Sequence, residues 1–174
     1  MNLIFFVMIK LKELNIVESK KDLQIIPQGK ILINTINAHS YNSAKKDELF
    51  AEALIKGDYL IPDGASIVKA CKWIKAKSRP KERIAGWDLF EFEMRRLNEN
   101  QNENENKKRV MFMGSSEKVL ELISKKAAEV YPNIEVVTYS PPYKPEFTDE
   151  DNRAIVEAIN DGDSLLNWCG RACL

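Results

Sequence analysis

Short apolar runs alternate along this chain with segments whose apolar residues recur at helical spacing, and polar, turn-forming residues gather where each run ends. That alternation constrains the fold more than any other feature. Strands separated by helix-length segments are joined by crossovers, which set them parallel in a sheet with helices on both faces. Lys30-Ile31-Leu32-Ile33 is the first clear strand, ending at Asn34 and Thr35. Ser43 is placed to cap the helix that follows, Leu49, Phe50, Ala53 and Leu54 share one face of it, and Gly57 can stop it. Tyr59-Leu60-Ile61 is a second strand, Pro62-Asp63-Gly64 the turn leaving it, and Ile67, Val68, Cys71 and Ile74 the inward face of the next helix. A further helix carries Phe90, Met94 and Leu97.

The second half repeats the logic. Val110 to Met113 is a strand, Gly114-Ser115-Ser116 a turn, and Glu117 to Val130 a helix with Val119, Leu120, Ile123 and Ala127 inward. Glu135 to Thr138 is another strand, and Thr148 and Asp151 have the spacing of a capping box before a helix expected to bury Ile155, Val156 and Ile159. The fold class is therefore α/β, a Rossmann-like layered domain with a mostly parallel sheet and helices on both faces.

With 174 residues, 44% of them apolar, the chain can bury one core. A single domain over residues 1–160 is expected, with a mobile polar loop at about 98–108 and an aberrant or truncated tail at 161–174. Lysine plus arginine and aspartate plus glutamate both number 26, so no global field draws the protein to nucleic acid or to an acidic membrane surface, and a small-molecule ligand is favoured. Three cysteines and one histidine do not make a zinc set, and neither metal nor cofactor is expected. The apolar run Leu3 to Ile9 is far shorter than the ~20 residues of a membrane span and fits a buried strand. A reduced, cytoplasmic chain fits these features, with any membrane contact peripheral.

The residues with chemistry sit at the strand ends. Asp63, between a rigid proline and a permissive glycine, can serve as a general base or can cap the helix starting at Ala65. Thr35 and Asn37 offer a hydroxyl and an amide to a sugar, or are turn residues. His39 can orient its loop or contact a ligand. Arg83 can pair with Asp88 or face a phosphate. Gly114 and Ser115, between a strand and a helix, can present amides to a phosphate, though without G-x-G-x-x-G or the P-loop lysine. Asp161-Gly162-Asp163 has a D-x-D form that reads as a loop.

The order of Thr35-x-Asn37, Pro62-Asp63-Gly64, Arg83-x-x-Gly86-x-Asp88-Leu89, Phe112-Met113-Gly114 and the block from Pro141-Pro142-Tyr143 to Asn160 resembles the WecG/TagA/CpsF family of bacterial glycosyltransferases. The resemblance implies inverting, metal-independent transfer of an N-acetylmannosamine-type sugar from a UDP donor to a polyprenyl-diphosphate-linked acceptor in cell-surface polysaccharide synthesis. It implies that Asp63 is the catalytic base, that Thr35 and Asn37 lie in the sugar site, and that the turn after Met113 borders the donor pocket. It also implies work at the inner face of the membrane, with no role for nucleic acid. The family continues past the helix ending near Asn160 with an apolar strand, a glycine turn, a P-K-Q-E segment and a basic appendage; here only Leu165 and Leu166 look like that strand. An inactive truncated fragment and a general nucleotide-binding α/β protein are the alternatives.

Overall fold

The computed structural model describes residues 9–25, 31–99, 108–144 and 146–169. The start of the apolar run at Leu3 and most of the polar loop expected at 98–108 lie outside them. Two compact units divide the chain after Leu89.

In the first unit two strands lie parallel, β1 (Ile33–Ile36) and β2 (Tyr59–Pro62), with Ile33 opposite Tyr59 and Ile36 opposite Pro62. The strand begins later than the apolar run, at Ile33, because its partner begins only at Tyr59: the amides of Asp58 and Tyr59 both donate to the Leu32 carbonyl as the chain turns into β2. Two helices fill the crossover, α1 (Ala38–Ala44) and α2 (Glu48–Lys56). Ser43 lies inside α1 and caps nothing; Asp47 caps α2, its carboxylate accepting from the Phe50 amide at 3.0 Å. This shifts the inward face to Phe50, Ala51 and Leu54, while Leu49 is 79% exposed. Gly57 does end α2, and Asn34 Nδ2 donates to the Ala53 carbonyl there at 3.0 Å. After β2 comes α3 (Ala65–Trp73), with Ile67 and Cys71 inward and Ile74 at its exposed end. The core of this unit joins Ile36, Ala51, Leu54, Leu60, Ile67 and Cys71 to Ile9, Leu11, Leu14 and Ile16 from the start of the chain.

Gly86–Glu99 form α4, whose residues from Phe90 onward belong to the second unit. There β3 (Lys108–Met113) lies between β4 (Ile134–Tyr139) and β5 (Leu166–Cys169), all parallel. Between them run α5 (Glu117–Val130) and α6 (Asp149–Asp161). Phe90, Met94, Leu97, Val110, Phe112, Leu120 and Ile134 form the core. Val119 is 41% exposed rather than inward, because it stands about 100° around α5 from Leu120. The helix α6 buries none of its residues: Ile155 and Ile159 are half-buried and Val156 is exposed. Its three large apolar residues, with only Ala154 and Ala158 beside them among Asp, Glu, Asn and Arg, make a narrow stripe.

The largest departure lies in the tail. Where only Leu165 and Leu166 are expected to survive of a strand, Leu166–Cys169 pair with Val110–Met113 along the whole of β5. The segment alternates: Leu166 and Trp168 are partly buried against the core, while Asn167 and Cys169 are exposed. Period-two burial is what an edge strand requires, and a polar Asn between two apolar residues obscures it in the sequence.

The capping box at the start of α6 is present. Asp151 Oδ2 accepts from the Thr148 amide and hydroxyl, both at 2.7 Å, and from Lys144 Nζ at 2.6 Å. The ammonium and these hydrogen bonds hold its carboxyl down at about 2. A depressed folded value means stability that is present above the unfolded value near 4 and lost as pH falls toward 2. In thermal unfolding, the margin of the parent over Asp151→Asn is therefore expected to shrink between pH ~5 and ~2. A margin independent of pH would show that the charge on Asp151 contributes nothing to the cap.

Candidate functional site

At the carboxyl end of β1 the chain turns straight into α1 through Asn37, which caps that helix. Asn37 Oδ1 accepts from the Ser40 amide at 2.9 Å, and the Asn37 amide donates to Ser40 Oγ at 2.9 Å. The single side-chain oxygen of Asn37 is thus used in the turn, and the Asn37 to Ser40 spacing is a local signal for a helix starting at Ala38 that the choice of Ser43 as cap misses. Thr35 is exposed on β1 and His39 is exposed in the first turn of α1.

Beside them, β2 ends at Pro62. The Asp63 amide donates to the carbonyl of Ile36 at 2.9 Å, which carries the parallel pairing one residue past the strand and sets Asp63 next to Asn37. Gly64 keeps the two turns close: a Cβ there would lie 3.2 Å from Asn37 Cβ. Gly64, not Asp63, occupies the capping position of α3, and no side chain caps that helix.

The Asp63 carboxylate is held instead by Arg83. Arg83 Nη2 and Nε donate to its Oδ1 at 3.2 and 3.4 Å, and among the described residues no donor is found on Oδ2. Arg83 is brought there by the backbone, since the Ile84 amide donates to the Pro62 carbonyl at 2.9 Å and Ile84 is fully buried. The expected Arg83 to Asp88 pair does not form. Asp88 takes Lys20 Nζ at 2.9 Å and the Ala85 amide at 2.8 Å, which lower its carboxyl in that order, and the Asp88 carboxylate raises the Lys20 ammonium. The competition is geometric: Asp88 sits in the first turn of α4, where its reach back to the Ala85 amide satisfies a helix-end donor. No local pattern in the sequence reveals that Arg83 faces Asp63, twenty residues away.

In the second unit, Gly114 and Ser115 form the turn from β3 to α5 with φ of 98° and 67°. The left-handed value at Ser115 is a costly conformation for a residue with a side chain. It is locked by the Gly114 amide donating to the Tyr139 carbonyl at 3.0 Å and by Ser140 Oγ donating to the Ser115 carbonyl at 2.8 Å. Ser116 then leads α5 without a side-chain cap. Such a turn directs first-turn amides outward, the arrangement that receives phosphate at the start of a helix. The Asp161-Gly162-Asp163 segment closes α6, with Gly162 at its C-cap, and no cluster of three metal-binding side chains occurs among the described residues.

Parallel strands, crossover helices and polar turns at the strands' carboxyl ends define a Rossmann-like α/β protein with a carboxylate and an arginine paired at one such end. The glycosyl transferase WecG/TagA/CpsF family model matches residues 6–171, and the chain belongs to this family. It is similar to the N-acetylglucosaminyldiphosphoundecaprenol N-acetyl-beta-D-mannosaminyltransferase of Bacillus subtilis, 29% identical over 112 residues, which are 64% of this chain and 41% of that protein. The enzyme of the same name from Bacillus spizizenii is 28% identical over 128 residues, 73% of this chain and 44% of the relative. The chain thus aligns with less than half the length of both relatives. No helix among the described residues is long and apolar enough to cross a membrane.

Proposed function

We propose that the chain takes part in transferring an N-acetylmannosamine-type sugar from a UDP donor to a polyprenyl-diphosphate-linked sugar, with Asp63 as the general base. The observation that carries this reading is the Asp63 carboxylate at the end of β2, one oxygen engaged by Arg83 and the other without a protein donor among the described residues. In the proposed step Asp63 Oδ2 takes the proton of the acceptor hydroxyl as that oxygen bonds to the anomeric carbon. The bond from that carbon to the donor phosphate breaks, and its electron pair leaves with UDP. Attack opposite the leaving group inverts the anomeric centre, and the resemblance assigns no metal to the step. Arg83 orients the base, and at 58% side-chain exposure it can also meet a donor phosphate. Thr35, Asn37 and His39 are proposed to contact the sugar; in the second unit the Gly114-Ser115 turn is proposed, by itself, as a phosphate-binding turn. The site would work on the cytoplasmic side of the membrane, where a lipid-linked acceptor is reached peripherally.

The donor assignment is tested by titration calorimetry. UDP is expected to bind and NAD is not. Equal affinity for both, or for neither, would favour the general nucleotide-binding or non-catalytic reading over this one.

A further inference from the structure

The net charge of zero conceals a strongly uneven distribution. From Gly64 to Lys81 the chain carries six cations, Lys69, Lys72, Lys75, Lys77, Arg79 and Lys81, and no acid. The structure turns all of them outward. Lys69 and Lys72 lie with Trp73 on the face of α3 opposite Ile67 and Cys71, and Trp73 is 81% exposed. Past Ile74 the chain runs as a strap whose burial alternates: Lys75, Lys77, Arg79 and Lys81 are exposed, while Ala76 and Pro80 are buried and Ser78 is half-buried.

The strap is held in place by the start of the chain. The Lys77 amide donates to the Lys12 carbonyl at 2.9 Å, Ser78 Oγ accepts from the Ile16 amide at 2.9 Å, and the Lys81 amide donates to the Glu18 carbonyl at 2.8 Å. The carboxylates at this flank hold main-chain amides rather than the strap's cations: Glu18 accepts from the Arg79 amide at 2.7 Å and Glu82 from the Lys20 amide at 3.0 Å. Among the described residues none of the six cations is found in an ion pair.

We propose that this flank, the outer face of α3 and the strap 74–81, docks on an anionic lipid bilayer surface. Lysines can extend their ammonium groups to lipid phosphates while Trp73 and the adjacent Ile74, 42% exposed, enter the headgroup boundary. An exposed aliphatic beside the indole favours lipid over nucleic acid, which rewards stacking and bidentate arginine contacts. The lipid-linked acceptor proposed above gives such docking a purpose, but the inference stands on the flank itself.

The test is flotation of the full chain with vesicles of phosphatidylcholine containing phosphatidylglycerol, against vesicles of phosphatidylcholine alone. Neither holds a glycolipid or a nucleotide, so the result is independent of sugar transfer. The protein is expected to float with the anionic vesicles only, and to be released as salt rises. Lys69, Lys72, Lys77 and Lys81 changed together to Gln should lower partitioning by ~10²-fold or more, each cation near the surface contributing roughly fivefold. In the parent, anionic vesicles should shift tryptophan emission to the blue, and Trp73→Phe should remove most of that shift. Parent protein that does not float, that floats equally with neutral vesicles, or whose emission shift survives Trp73→Phe would overturn the proposal. So would a circular-dichroism-verified folded quadruple variant that binds like the parent, or duplex DNA binding while anionic vesicles do not.

Discussion

Asp63→Asn is expected to lower turnover by on the order of 10²-fold or more while leaving UDP binding intact, in this chain where it turns over or in a full-length relative at the matching position. Asparagine keeps the size of the side chain and an oxygen for Arg83, but it cannot take a proton at neutral pH. The substitution therefore separates chemistry from architecture. Backbone bonds, not the carboxylate, bring this turn together: the Asp63 amide to Ile36 and the Ile84 amide to Pro62. A folded variant with unchanged turnover would leave Asp63 as a structural anchor for Arg83 and remove the base assignment. Initial rates and calorimetric UDP affinity, measured on one preparation, decide between the two.

Trp168→Ala is expected to destabilise the second unit by about 2–3 kcal/mol, below the ~3–5 kcal/mol typical of a fully buried tryptophan because this one is only partly covered. Trp168 meets Phe90 edge-on at a centroid separation of 5.2 Å, and Phe90 meets Phe112 at 5.7 Å, so truncation removes one end of an aromatic row that ties β5 to β3 and α4. Urea unfolding followed by circular dichroism measures it. A loss under ~0.5 kcal/mol, the ordinary scatter of surface substitutions, would mean that β5 contributes little to the fold.

The strand and helix order was legible because burial has a period. The α5 range, Glu117–Val130, and the capping box of Thr148 and Asp151 follow from apolar spacing and cap chemistry that act within a few residues. Errors came where a partner distant in sequence sets the outcome. The first strand starts at Ile33 because β2 starts at Tyr59; the helix starts are a different case, since Asn37 and Asp47 cap them through contacts three residues away and placing the cap at Ser43 passed over those local signals. The strand in the tail was hidden because only Leu166 and Trp168 mark it and their cover, Phe112 and Phe90, lies more than fifty and more than seventy residues earlier.

The candidate site divides in the same way. Its residue types and their positions at strand ends, Thr35, Asn37, Asp63, Gly114 and Ser115, were determined by the sequence alone, since an apolar run can be left only through residues that tolerate turns and polar surroundings. Which groups those residues engage was decided by the tertiary structure. Asp63 and Asp88 are both aspartates within reach of a turn, yet one holds Arg83 and the other holds Lys20 and the Ala85 amide. The outward alternation of the lysines from 75 to 81 likewise depends on Lys12, Ile16 and Glu18 bonding the strap from the start of the chain. Spacing along a chain specifies periods and caps because those forces act within one turn. Ion pairing and the choice of exposed face depend on elements brought together across tens of residues, which only the folded backbone supplies.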